Sequence, residues 1–182
     1  YRGTQPAYVP GTEEYLLVDG YNIIFAWKEL NELAQHNIDS ARDKLMDIMC
    51  NYQGAKNVNL ILVFDAYKVS GGQGEIFDYH NIHVVYTKEA ETADQYIEKV
   101  SHELSRKYHV TVATSDRLEQ MIIWGAGARR ISAPGFYEEV MNTIQEVRQN
   151  IERDKPKNKN YLKDNISREA YEKLEKIKEN LQ

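Results

Sequence analysis

With 182 residues, 42% of them hydrophobic, the chain can build one domain around a substantial core but not two large ones. Its single cysteine, Cys50, excludes an internal disulfide, no Cys/His cluster has zinc-ligand spacing, and no apolar run is long enough to span a membrane. The formal net charge of -5 lacks the basic excess usual in nucleic-acid binders, although residues 151–182 carry nine Lys/Arg against seven Asp/Glu and leave the remainder with 14 against 21.

These features fit a cytoplasmic protein in which any metal is bound by oxygen. Residues 1–12 contain Pro and Gly without periodicity and read as a linker from a longer chain. Residues 15–18 then form a continuous apolar run that stops at Asp19-Gly20, the pattern of a buried strand. The apolar face of residues 38–52, with Ala41, Leu45, Ile48, Met49 and Tyr52, predicts a helix lying on a sheet. A second buried strand is predicted over 58–64, ending at Asp65, and a weaker one over 82–86.

Between these two strands, Ser70-Gly71-Gly72-Gln73-Gly74 lacks the Lys and Ser/Thr of a phosphate-cradling loop and reads as a mobile connection. A helix over 92–108 places Ala93, Ile97, Val100 and Leu104 on one face, and a third buried strand follows over 110–113, ending at Thr114-Ser115-Asp116. Short and longer helices are predicted over 118–124 and 135–151, the latter entered through Ser132-Ala133-Pro134. Residues 152–166 are polar, contain Pro156 and read as a linker, and 167–182 as a charged C-terminal helix with a thin apolar stripe. Buried strands alternating with helices imply an α/β domain over 13–151, with a mostly parallel sheet covered on both faces.

The aspartates fall where such a fold binds ligands. Asp19, Asp65 and Asp116 each stand just past the carboxyl end of an apolar run, and the first turn of the helix after Glu91 brings Asp94 to the same edge. Asn22 and Glu91 are neighbours of the set. Each acid also has a plainer reading, as a turn residue, a strand-end cap or a favourable charge at a helix start. Crowded on one rim, however, like charges repel unless a cation neutralises them, and an oxygen-only set selects Mg²⁺ or Mn²⁺. Trp27 and Trp124 are read as packing residues, and His80, His83, His102 and His109 show no ligand spacing.

Four stretches in this order resemble the YacP-like NYN domains of the PIN-like ribonuclease group. They are Leu17-Val18-Asp19-Gly20-Tyr21-Asn22 followed by Ile23-Ile24, then Val63-Phe64-Asp65-Ala66, then Tyr86-Thr87-Lys88-Glu89-Ala90-Glu91-Thr92-Ala93-Asp94, then Ala113-Thr114-Ser115-Asp116 with Glu119-Gln120. The resemblance implies a three-layer PIN-like fold and a divalent-metal-dependent endoribonuclease, acting on messenger RNA at the ribosome and leaving 5′-phosphate and 3′-hydroxyl ends. It implies that Asp19, Asp94 and Asp116 hold Mg²⁺ or Mn²⁺, that Asp65 and Glu91 support them, and that Asn22 orients a ligand or phosphate. Arg117, Arg129 and Arg130 are candidate RNA contacts, each with surface charge as the plainer reading. With the linker before Tyr15, the resemblance leaves room for an upstream translation-factor-like region in the same chain. Two other classes stay open: a catalytically silent module that docks a larger protein on RNA or the ribosome, and phosphoryl transfer to a small molecule. The intact acidic set speaks against the first and the missing nucleotide loop against the second.

Overall fold

A computed structural model describes residues 13–66, 73–114 and 128–180. In chain order the elements are β1 (Glu14–Asp19), α1 (Gly20–Ala26), α2 (Lys28–His36), α3 (Ile38–Lys56), β2 (Asn59–Phe64), β3 (Gln73–Tyr79), β4 (Ile82–Lys88), α4 (Ala93–Leu104), β5 (His109–Thr114), β6 (Ala128–Ser132) and α5 (Ala133–Asn180). The six strands form one sheet in the order β3-β4-β2-β1-β5-β6, parallel throughout except for the antiparallel β3–β4 hairpin at one edge. The expected mostly parallel α/β sheet is therefore present.

Side chains alternate across the pleat, so each strand feeds both faces. Leu17, Val63, Val85, Val110, Val112 and Ala128 line one face and pack beneath Ala93 and Ile97 of α4. Leu16, Val18, Leu62 and Phe64 belong to the other face, which α1 and α3 cover with fully buried Ile23, Ile24, Leu45 and Met49. Aromatic contacts bind this second layer to the start of α5: Phe136 meets Trp27 and Tyr52, each with ring centroids 5.7 Å apart. Trp27, buried as expected, also donates its indole N–H to the Ala133 carbonyl at 2.9 Å. Trp124 lies outside the described residues, as does the helix expected over 118–124.

Local chemistry sets the helix ends. The Asn37 side chain accepts the backbone N–H groups of Asp39 and Ser40, and Asn57 closes α3 in the left-handed conformation at φ 54°. Ser132 accepts the Gly135 N–H at 3.0 Å, with Pro134 in the first turn of α5 where a missing N–H costs nothing.

Four expectations need correction. Residues 152–166, expected as a non-helical linker, lie within α5. Their Lys, Arg and Glu side chains have good helix propensity, which here outweighs the single Pro156. Gln73 and Gly74, read as loop, begin β3; Gly74 sits at φ 76°, and a Cβ there would come within 2.9 Å of Lys88 Cγ. The helices α1 and α2 have no counterpart in the sequence expectations, because residues 21–27 are apolar on nearly all sides and α2 buries only Leu30. The same holds for β6, a short edge strand that is mostly polar, ARRIS. The chain divides by internal contacts into one compact unit ending at Asn142 and a second beginning at Thr143.

Candidate active site

β1 is the central strand, and the connections from its two parallel neighbours run to opposite sides of the sheet. The carboxyl edge between β1 and β5 is therefore the point where strand order reverses, which opens a crevice. The pleat that turns Leu17 toward α4 turns Asp19 the same way at the end of β1, where Asp19 pairs in register with Val63. Asp19 is almost fully buried. Asn22, one turn into α1, donates its amide N–H to Asp19 Oδ2 at 2.6 Å.

Asp94 reaches this carboxylate from the first turn of α4. A capping box fixes that turn: the Thr92 hydroxyl accepts the Gln95 N–H at 3.2 Å and the Gln95 side chain accepts the Thr92 N–H at 3.1 Å. Asp65, just past β2, reinforces it by accepting the Ala93 N–H at 2.6 Å. The connection from β4 is held in turn by Thr87, buried at the end of the strand. Its hydroxyl donates to the Glu91 carbonyl at 2.7 Å and accepts the Ala66 N–H at 3.2 Å. Sequence reasoning includes Thr87 in the third stretch of the resemblance but gives it no role, because a threonine at a strand end carries no signal of its own.

The electrostatics follow from this crowding. Burial, then the Asp94 carboxyl within hydrogen-bonding reach and the charge of Asp65 push the Asp19 carboxyl up to about 7, with the Asn22 amide opposing them. A buried acid beside a second carboxylate is stable only with a proton or a cation between them.

Of the residues expected here, Asp19, Asn22, Asp65 and Asp94 come together. Glu91 points its carboxylate to Lys99 instead, at 3.3 Å. Asp116 and Arg117 lie outside the described residues. Arg129 is exposed on β6; Arg130 is half-buried and pairs in register with Val112, so its side chain lies on the α4 face of the sheet.

Among the described residues no group of three or more His, Cys, Asp or Glu side chains is gathered to hold a metal ion. The donor chemistry nevertheless fits a hard divalent cation. Among the described residues, two carboxylates meet without a basic partner on Asp19, and the buried Thr114 hydroxyl at the end of β5 has no hydrogen-bond partner. Thr114 stands one register step beyond the Val18–Ala113 pair, on the same face as Asp19, and two residues before Asp116.

Comparison with known proteins shows the family and the fold. Residues 16–179 match the YacP-like NYN domain family. The chain is 40% identical over 141 residues to the uncharacterized protein YacP of Bacillus subtilis (strain 168), an alignment covering 77% of this chain and 80% of that protein. The crystal structure of Rae1 (YacP) from Bacillus subtilis superposes with a TM-score of 0.67 at 36% identity, covering 91% of this chain and 94% of that one. A tryptophan-to-leucine mutant of the same Bacillus subtilis protein superposes with a TM-score of 0.65 at 38% identity, covering 77% of this chain and 82% of that one.

Proposed function

This chain belongs to the YacP-like NYN domain family of PIN-like nuclease folds, and from that membership we propose that it is a divalent-metal-dependent endoribonuclease hydrolysing RNA phosphodiester bonds, with messenger RNA on the ribosome as substrate. The observation that carries the reading is Asp19, buried at the end of β1 beside Asp94 with its carboxyl raised to about 7. A fold that keeps two acids together at such a cost has a use for the cation that relieves it.

The proposed ligands are Asp19, Asp94 and Asp116, the last from outside the described residues, with the Thr114 hydroxyl beside them. Bound there, Mg²⁺ or Mn²⁺ supplies positive charge that activates a water and stabilises the charge building on the phosphate. The protein's own groups do the positioning. Asn22 fixes one Asp19 oxygen and leaves the other to turn toward Asp94. Asp65 and the Thr92–Gln95 box pin the α4 start, so Asp94 is presented by a preorganised turn rather than a free side chain. Burial of Asp19 keeps bulk water from screening its charge, while Asp94 meets it from the exposed side.

Incubating the purified chain with labelled RNA and Mn²⁺ or Mg²⁺, with EDTA as control, tests the reading. Internal cleavage abolished by EDTA and by Asp94→Asn is expected. RNA binding with no cleavage under any of these ions would leave a docking module instead. Cleavage that persists in EDTA would remove the metal.

A further inference from the structure

A second cavity lies on the same face of the sheet as the acids. It is a cleft of about 290 Å³ whose wall is α4, through Glu98, Lys99, Ser101 and His102, and whose floor and far side are Val112, Ala128 and Arg130 of β5 and β6. We propose that this cleft binds a nucleotide of the RNA strand adjacent to the bond being cut. The identity of the ligand rests on the nuclease reading; the existence of the site does not.

The placement comes first. Arg130 lies two residues before Ser132, which pairs with Thr114 at the carboxyl edge. Two strand spacings and two residue rises separate Arg130 from Asp19, so their backbones are about 12 Å apart. On α4, Glu98 lies one turn below Asp94 and His102 one turn below Glu98, so one stripe of the helix runs from the acids into the cleft. A strand engaged at Asp19 and Asp94 reaches the cleft with a neighbouring nucleotide.

The lining matches that occupant. Val112 and Ala128, largely buried, give the bottom of the cleft an apolar lining that favours a base over a second charged group. Lys99 and Arg130 bring fixed positive charge, and His102 adds N–H donors, in a chain whose net charge is -5. Arg130 has no ion-pair partner among the described residues, and Lys99, which lies over the Tyr96 ring, has a partly exposed ion pair with Glu91 that a phosphate can replace. Glu98 is the one acid of the lining among the described residues. It repels phosphate but can accept from a ribose hydroxyl or a base amino group, which directs the phosphate to the cations.

The test reads binding apart from cleavage. Fluorescence anisotropy of a labelled single-stranded RNA decamer, titrated with the full chain in EDTA, is compared for wild type, Arg130→Ala, Lys99→Ala, Ala128→Leu and Asp94→Asn. Arg130→Ala and Lys99→Ala are each expected to weaken binding about tenfold and to make the log-affinity slope against log salt shallower by about 0.7, the signature of one lost single-strand phosphate contact. Ala128→Leu, which fills the floor, is expected to weaken binding without changing the salt slope. Asp94→Asn, which removes a negative charge from the path of the strand, is expected to bind at least as tightly as wild type. In metal, Arg130→Ala is expected to raise KM and leave kcat within about twofold.

Binding by Arg130→Ala and Lys99→Ala within twofold of wild type, at unchanged thermal midpoint, would overturn the proposal. So would displacement of the RNA by micromolar adenosine monophosphate, which would make the cleft a site for free nucleotide. Arg130-dependent binding by a protein that never cleaves would keep the cleft and remove the nuclease reading.

Discussion

Replacing Asp19 by Asn removes one charge and almost no volume, and its effect on stability should depend on pH in a way no packing change can imitate. In the folded protein the Asp19 carboxyl titrates at about 7, against 3.8 for the ordinary side chain, because it is buried and faces Asp94. Between those values the folded state holds a proton that the unfolded state releases. The stability tied to that proton is complete below about pH 4 and is lost as pH rises through about 7. At 1.36 kcal/mol per pKa unit the loss reaches at most about 4 kcal/mol by about pH 8. The Asn variant carries no such proton, and its amide can donate to Asp94. In EDTA the two proteins should therefore differ little near about pH 4.5, while the variant becomes progressively more stable than wild type toward about pH 8. Urea unfolding followed by circular dichroism across that range measures the difference. Millimolar Mn²⁺ at about pH 8 should stabilise wild type and leave the variant nearly unmoved. A stability difference that stays constant across the pH range would refute the reasoning, because Asp19 would then not titrate abnormally in the folded state.

Three further outcomes follow from the geometry. Asp94→Asn should leave metal-free stability equal or higher, read as the urea midpoint, while cleavage at matched Mn²⁺ falls by orders of magnitude; retained cleavage would defeat its assignment as a ligand. Gly20→Ala should cost about 1–3 kcal/mol despite the better helix propensity of Ala, because its Cβ would stand 2.3 Å from Phe64 Cε1; an unchanged thermal midpoint would show that the ring yields freely. Thr92→Ala, by breaking the capping box, should cost about 1 kcal/mol in the same assay, lower kcat more than it raises KM, and be partly rescued by Thr92→Ser.

The parallel sheet was legible because β1, β2 and β5 are buried on both faces, so they appear as unbroken apolar runs, each followed closely by an aspartate. That pattern placed Asp19 and Asp65 at strand ends, and the start of the following helix placed Asp94. What escaped was whatever lacks a period. β3 and β6 are edge strands with polar faces, α1 is apolar almost all round, and residues 152–166 show a charge pattern that suits a linker and a long solvated helix equally well. The partners of the acids were invisible for a different reason. That Asn22 would bind Asp19, that Asp65 would take the Ala93 N–H and that Glu91 would turn to Lys99 are matters of side-chain direction, set only once the helices dock. The cleft beside α4 joins residues from three elements and has no linear signature at all.

The strand order has a consequence for how the chain acquires its active form. β1 emerges first from synthesis, yet it pairs with β2 on one side and β5 on the other, and Glu14 finds its register only against His109. Such long-range parallel pairing closes large loops before any contact rewards them, so folding is slow and its decisive step comes late. The Asp19 carboxylate is carried by the strand that waits longest, at an edge completed only when β5 docks. A nascent or truncated chain ending before β5 already contains the helices that cover both faces of β1, but it leaves the β5-side edge of that strand unpaired and lacks the crevice, an open edge prone to wrong pairing.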